Sequence, residues 1–203
     1  MSAALPTPAA GTVTRDRILD EAEALFAEHG YAGTSVRDIA GAVSLTPASL
    51  YNHFDGKEAL YTAVLERGIR PLVELMQGLA AAEPRGEAVD ALLERVMEHL
   101  ARRPHLPRLI HHEAATGGAH IGGVMRDWIR PLIEQARVQM QRVPESGWEP
   151  EEYPLVIAAW IHMVLGHFAL APLFRDVLGV DPLSPDVLRR QTGVLRKFAR
   201  QHP

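Results

Sequence analysis

Residues Gly30 to Glu58, reading GYAGTSVRDIAGAVSLTPASLYNHFDGKE, constrain the fold more than any other part of the chain. Two short helical patterns flank a tight turn, and the second opens on Thr46 followed by Pro47. A threonine at the N-cap accepts an amide hydrogen bond that the helix itself cannot satisfy. Proline fits the next position because its missing N–H would have no partner there. Upstream, Ser35 and Asp38 have capping-box spacing, which predicts a helix over Ser35–Ala42 capped by Thr34 or Ser35. Val36, Ile39, Ala40 and Val43 then face inward. In the helix after Thr46, Leu50 and Phe54 are four apart and share a buried side, leaving Pro47, Ala48, Ser49, Asn52 and His53 outside. One helix braces while the other presents short side chains, the layout of a helix-turn-helix.

The surrounding pattern is helical throughout, which predicts an all-α chain. Residues 1–13, rich in Ala, Pro and Thr, are expected to form a disordered arm. The first helix is expected over Arg15–His29, capped by Thr14 and stopped by Gly30, with Ile18, Leu19, Ala22, Leu25 and Phe26 on one stripe. Lys57 to about Leu79 reads as a fourth helix that Pro71 kinks or breaks. Later helices are expected at 86–102, 105–115, 123–142, 151–175 and 184–200. The domain division is 14–60 for the helix-turn-helix and 61–203 for a C-terminal helical domain.

Composition narrows the function classes. The chain has 203 residues and no cysteine, which excludes disulfides and thiolate metal sites and suits a reducing cytoplasm. Neither a signal peptide nor a membrane span is expected, since no apolar run reaches about 18 residues. Residues 1–60 carry Arg15, Arg17, Arg37 and Lys57 against Asp16, Asp20, Glu21, Glu23, Glu28, Asp38, Asp55 and Glu58. That −4 equals the formal net charge of the whole chain, so residues 61–203 balance at zero. A nonspecific nucleic-acid coat would be basic, and that class is disfavoured. A site-specific binder remains open if its few bases and its backbone amides sit at the phosphates, with a modest salt slope.

Short residues at the start of the second helix suit base edges. Ser49 donates or accepts, Asn52 reaches adenine, and the carbons of Pro47 and Ala48 suit thymine methyls. Tyr51 and Lys57 suit phosphate oxygens, as does Thr34 with its amide. Spacing alone leaves open a plain helical hairpin in a bundle. Thr34, Ile39, Ala40, Leu50, Tyr51, Phe54, Lys57, Glu58, Ala59 and Leu60 together form a more specific run. With them, residues 15–65 resemble the DNA-binding domain of the TetR family of bacterial repressors. The resemblance implies base contacts from Pro47, Ala48 and Ser49, with Asn52 at the edge, and phosphate contacts from Thr34, Tyr51, His53 and Lys57. Ser44 departs from the family's usual turn glycine; if the turn stays left-handed, serine there costs about 1 kcal/mol.

For the C-terminal half, the resemblance implies a domain that forms a homodimer and holds a small-molecule effector. The apolar segment 157–174 must be buried on several sides. Ile157, Ile161, Val164 and Phe168, with Val187, Leu188, Leu195 and Phe198 on the last helix, are the expected dimer face. Met76, Met97, Leu100, Ile110, His111, Met125, Trp128, Ile129, Trp160 and Met163 are the expected lining for a lipophilic effector, with core packing as the alternative for each. His111, His112, Glu113, His120, His162 and His167 lack metal-site spacing, so no metal and no cofactor is expected. The reading is a ligand-responsive repressor on a palindromic double-stranded operator. An activator, a ligand-independent DNA-binding module and a helical enzyme are the alternatives, the last without a nucleophile–base pair or phosphate loop.

Overall fold

The computed structural model describes residues 10–81, 87–118, 120–124, 126–127, 130–140, 148–149 and 151–201. Among them the regular elements are helices with no strand, giving an all-α architecture. The chain divides into two units, one up to Glu66 and one from Arg67.

In the first unit, α1 (Ala10–Gly33) is interrupted at Gly30, whose φ of 72° is open to glycine at little cost. The helix starts at Ala10, so residues 10–13 do not belong to an arm and Thr14 is not a cap. No proline lies between Ala10 and Ile18 to stop it. The remainder of the expected arm, residues 1–9, lies outside the described residues. Helix α2 (Val36–Ala42) has Ser35 as its N-cap, completing the capping box with Asp38. Helix α3 (Pro47–Tyr51) is capped by the Thr46 side chain, which accepts from Ser49 N. Between them, Ser44 has φ 59°, the left-handed value expected for that turn and the only positive φ of a non-glycine residue among those described.

The core of this unit is closed around Ile18, Phe26, Ile39, Leu50 and, from the start of α4 (Lys57–Ala81), Leu60, Tyr61, Val64 and Leu65, all fully buried. Burying each large side chain contributes about 1.5–3 kcal/mol. Phe26, Tyr31 and Tyr61 add an aromatic cluster, with Tyr61 edge-on to both partners at 4.6 and 5.0 Å between centroids.

Helix α4 runs through Pro71 as one helix, so of the expected kink or break the break does not occur. In the second unit it is followed by α5 (Glu87–Arg102), α6 (His105–Ala115), α7 (Ile121–Val124) and α8 (Arg130–Met140), then α9 (Tyr153–Ala169), α10 (Ala171–Leu178) and α11 (Pro185–Gln201). The helix expected at 123–142 is represented by α7 and α8. That expected at 151–175 is two helices, bent by 64°. Pro172 is the reason: it lacks the N–H that would continue the ladder, yet it suits the first turn of a new helix.

Helix α6 packs on α9, and α11 packs on α5, where Arg196 pairs with Glu94 and places its Nε 3.7 Å from Asp90 Oδ1. Gly68 allows a close approach of α4 and α6. A Cβ there would lie 2.5 Å from Leu106 Cδ1, and Leu106 is itself fully buried. His99 Nε2 donates to Gly68 O at 2.8 Å beside this contact. Among the described residues, no single helix is long and apolar enough to cross a membrane.

Candidate nucleic-acid interface

Helix α3 is only five residues long, too short to hold its shape unaided. Three anchors fix it. At its start, Thr46 Oγ1 accepts from Ser49 N at 3.2 Å and lies 2.9 Å from Ser49 Oγ. In its middle, Leu50 is fully buried. Beyond its end, Phe54 is buried, and the amides of His53 and Phe54 both donate to Leu50 O, at 2.9 and 3.2 Å.

These anchors turn one side of α3 outward. Pro47, Ala48 and Asn52 are exposed, and Ser49 is half-buried. Tyr51 is 54% exposed, and its ring leaves the core for solvent. Exposed short and polar groups side by side, on a helix too firmly held to turn over, give a surface able to approach base edges. Tyr51 adds a phenol that can donate to a phosphate oxygen.

Three residues read as phosphate contacts are placed less simply. Thr34 is 2% exposed, and its hydroxyl donates to Gly30 O at 2.9 Å with Leu25 O at 3.2 Å. It closes the irregular end of α1 and does not offer its hydroxyl to a phosphate. The cap of α2 is Ser35, whose Oγ accepts from Asp38 N at 3.1 Å and donates to Asp38 Oδ2 at 2.6 Å. That hydroxyl, and then the Ser35 amide, hold the Asp38 carboxyl below its usual range. His53 is half-buried. Lys57 is half-buried too, its ammonium 4.2 Å from the centre of the Tyr31 ring. That ring steadies the ammonium at the start of α4.

Arg15 was missed in the sequence. From α1 its Nη1 donates to His53 O at 2.7 Å, and its guanidinium lies 4.2 Å from the centre of the Phe54 ring. Nothing local signals a contact between residues 38 apart.

The C-terminal candidates sort by burial. Met97 and Leu100 are packed into the core. Met76, Ile110, His111, Trp160 and Met163 are half-buried, and His111 Nδ1 donates to Pro107 O of its own helix. Met125, Trp128 and Ile129 lie outside the described residues. Of the expected dimer face, Val164, Phe168 and Leu195 are 9%, 1% and 1% exposed. They belong to the chain's own core and not to a surface. Ile161 and Phe198 are exposed, while Ile157, Val187 and Leu188 are half-buried. Leu155, Leu173, Val177 and Val194 are exposed apolar residues not anticipated. The signal for Val194 was its place four residues before Phe198. Three further histidines of the set bond backbone or Glu113: His162 Nδ1 to Ala158 O, His167 Nε2 to Pro182 O, and His120 Nδ1 3.4 Å from Glu113 Oε1, while His112 is exposed.

Comparison with known proteins fits this geometry. Residues 18–64 match the family model described as bacterial regulatory proteins, tetR family. The biofilm operon negative transcriptional regulator IcaR of Staphylococcus aureus is 51% identical over 47 residues, 23% of this chain and 25% of that protein. IcaR of Staphylococcus epidermidis is 39% identical over 62 residues, 30% of this chain and 34% of that protein. The chain thus spans only about a quarter to a third of the length of these relatives. A TetR-like transcriptional regulator from Rhodococcus shares the fold, with a TM-score of 0.68 at 18% identity, over 98% of this chain and 97% of that one. The family match falls on the helix-turn-helix, where α3 is held outward and its caps are in place, so residues 18–64 carry a domain of the tetR family of bacterial regulatory proteins.

Proposed function

We propose that the protein is a transcriptional repressor that binds a palindromic operator as a homodimer and leaves it when a small lipophilic effector occupies the second unit. The carrying observation is the outward side of α3, where Pro47, Ala48, Asn52 and Tyr51 are exposed on a helix anchored at both ends. Pro47, Ala48, Ser49 and Asn52 read bases, and Tyr51, His53 and Lys57 meet phosphates. Thr34 shapes the approach to α2 from inside. With the domain net acidic, affinity comes from placement, so nonspecific binding is weak.

Two copies place two α3 helices in successive major grooves, about 34 Å apart. Exposed Ile161, Val194 and Phe198 supply apolar surface for pairing. Met76, Ile110, His111, Trp160 and Met163 are the effector lining. An effector with unequal affinity for two arrangements of α4 shifts the spacing of the α3 helices and releases DNA. In a second reading the regulator ignores small molecules; the full packing of Met97 and Leu100 favours it at those two positions.

Selection of randomised DNA duplexes on the full-length protein tests the reading. Enrichment of an inverted repeat whose half-sites are about one helical turn apart, or a multiple of it, is expected. No enrichment, with Asn52→Ala and Ser49→Ala indistinguishable from wild type in a shift assay, would overturn it.

A further inference from the structure

We propose that Arg15 is a positioning residue for DNA reading: from α1 it clamps the exit of α3 and so fixes the angle at which the reading residues are presented. This rests on the function proposed above. Helix α3 has a capped start and a buried middle, but the turn beyond Tyr51 leaves carbonyl oxygens without helical donors. His53 O is one, and the Arg15 guanidinium supplies it at 2.7 Å while lying 4.2 Å from the Phe54 ring centre. A cation at the C-terminal end of a helix also meets the negative end of its dipole. One planar group thereby ties two successive residues of the exit turn to a different helix. The amides of those two residues in turn bond Leu50 O, so the clamp reaches the last turn of α3, where Tyr51 and Asn52 stand. A reading surface has to be held within about 0.5 Å of its productive geometry, and five helical residues do not do this alone.

A phosphate contact is the competing role for an exposed arginine, and salt dependence separates the two. A positioning role predicts that Arg15→Ala weakens binding of the duplex selected by wild type about tenfold per half-site, with the salt slope unchanged. Arg15→Lys keeps the charge but not the planar fork, so binding stays several-fold weak. In the free protein, amide hydrogen exchange at His53 and Phe54 rises in both variants while exchange at Ile39 does not. The proposal is overturned if exchange at 53 and 54 is unchanged. It is equally overturned if Arg15→Ala lowers the slope by about 0.9 per protomer and lysine restores affinity. Should wild type enrich no sequence, DNA reading itself has failed, and the exchange measurement still decides the clamp. If Arg15→Ala does not fold, Arg15→Lys and Phe54→Leu decide by the same exchange measurement.

Discussion

The two units treat apolar surface in opposite ways. In the first, Tyr51 is the only large apolar side chain left clearly exposed among the described residues, and it stands on the reading helix. In the second, Leu155 is 71% exposed, and Leu173, Val177, Val194 and Phe198 are also open. A unit that covers its own core and shows only what it uses is complete as a single copy. The second unit leaves aliphatic groups in water that its own fold does not cover. Under the proposed function, the difference separates the surface that reads DNA from the surface that pairs.

The strongest way to break this contrast is to open the closed core. Leu50→Ala should cost about 2–5 kcal/mol. Operator binding should be lost with it, the cost read as a lowered urea midpoint. A midpoint equal to wild type would show that α3 is not anchored through Leu50. Next in size is the exposed surface: Val194→Glu with Phe198→Glu should weaken self-association at least about a hundredfold in sedimentation, with helix content kept. Leu195→Ala, one residue away but buried, should instead lower thermal stability. If the double variant stays as associated as wild type, α11 is not the paired surface.

Smaller effects sharpen the reading surface. Lys57→Ala should reduce the salt slope of operator binding by about 0.9 per protomer. Tyr51→Phe should weaken binding about fivefold with the slope kept, as the loss of one hydrogen bond. Ser44→Gly should raise stability by about 0.5–1 kcal/mol, because glycine adopts the left-handed turn without the Cβ penalty. A drop in melting temperature would show that the serine is not strained.

The smallest effect concerns pH in the second unit. Burial lowers the His167 pKa from its ordinary 6.5, while its bond to Pro182 O pulls the other way. The neutral ring is the form the fold accepts, so its contribution is complete above pH 6.5 and is lost as pH falls through the lowered value. His167→Gln should flatten the dependence of melting temperature on pH below 6.5. An identical acid limb in the variant would remove His167 from the account.

What could be read from the sequence follows the range of the interactions. The Ser35–Asp38 box, the Thr46–Pro47 start and the Gly30 interruption are settled within four residues, and each stands where its residue types place it. The burial of Thr34 was not legible, because a polar side chain at a helix start is expected to face water, whereas its hydroxyl folds back onto α1. Helix α9 is apolar on most sides, so periodicity could not say which side meets the chain's own core. That is why Val164 and Phe168 were assigned outward. The two prolines show the same limit. Pro172 begins a new helix and Pro71 rides inside one, a difference the identity of the residue does not contain.

Gly68 has a consequence of a different kind. Its missing side chain and the Leu106 methyl groups occupy what amounts to one shared volume, with the His99 bond closing one side. An atom added at 68 makes the Leu106 side chain shift, position 106 shrink, or the two helices part. The dependence runs one way: a smaller residue at 106 leaves a cavity and asks nothing of 68, whereas a larger residue at 68 asks room of 106.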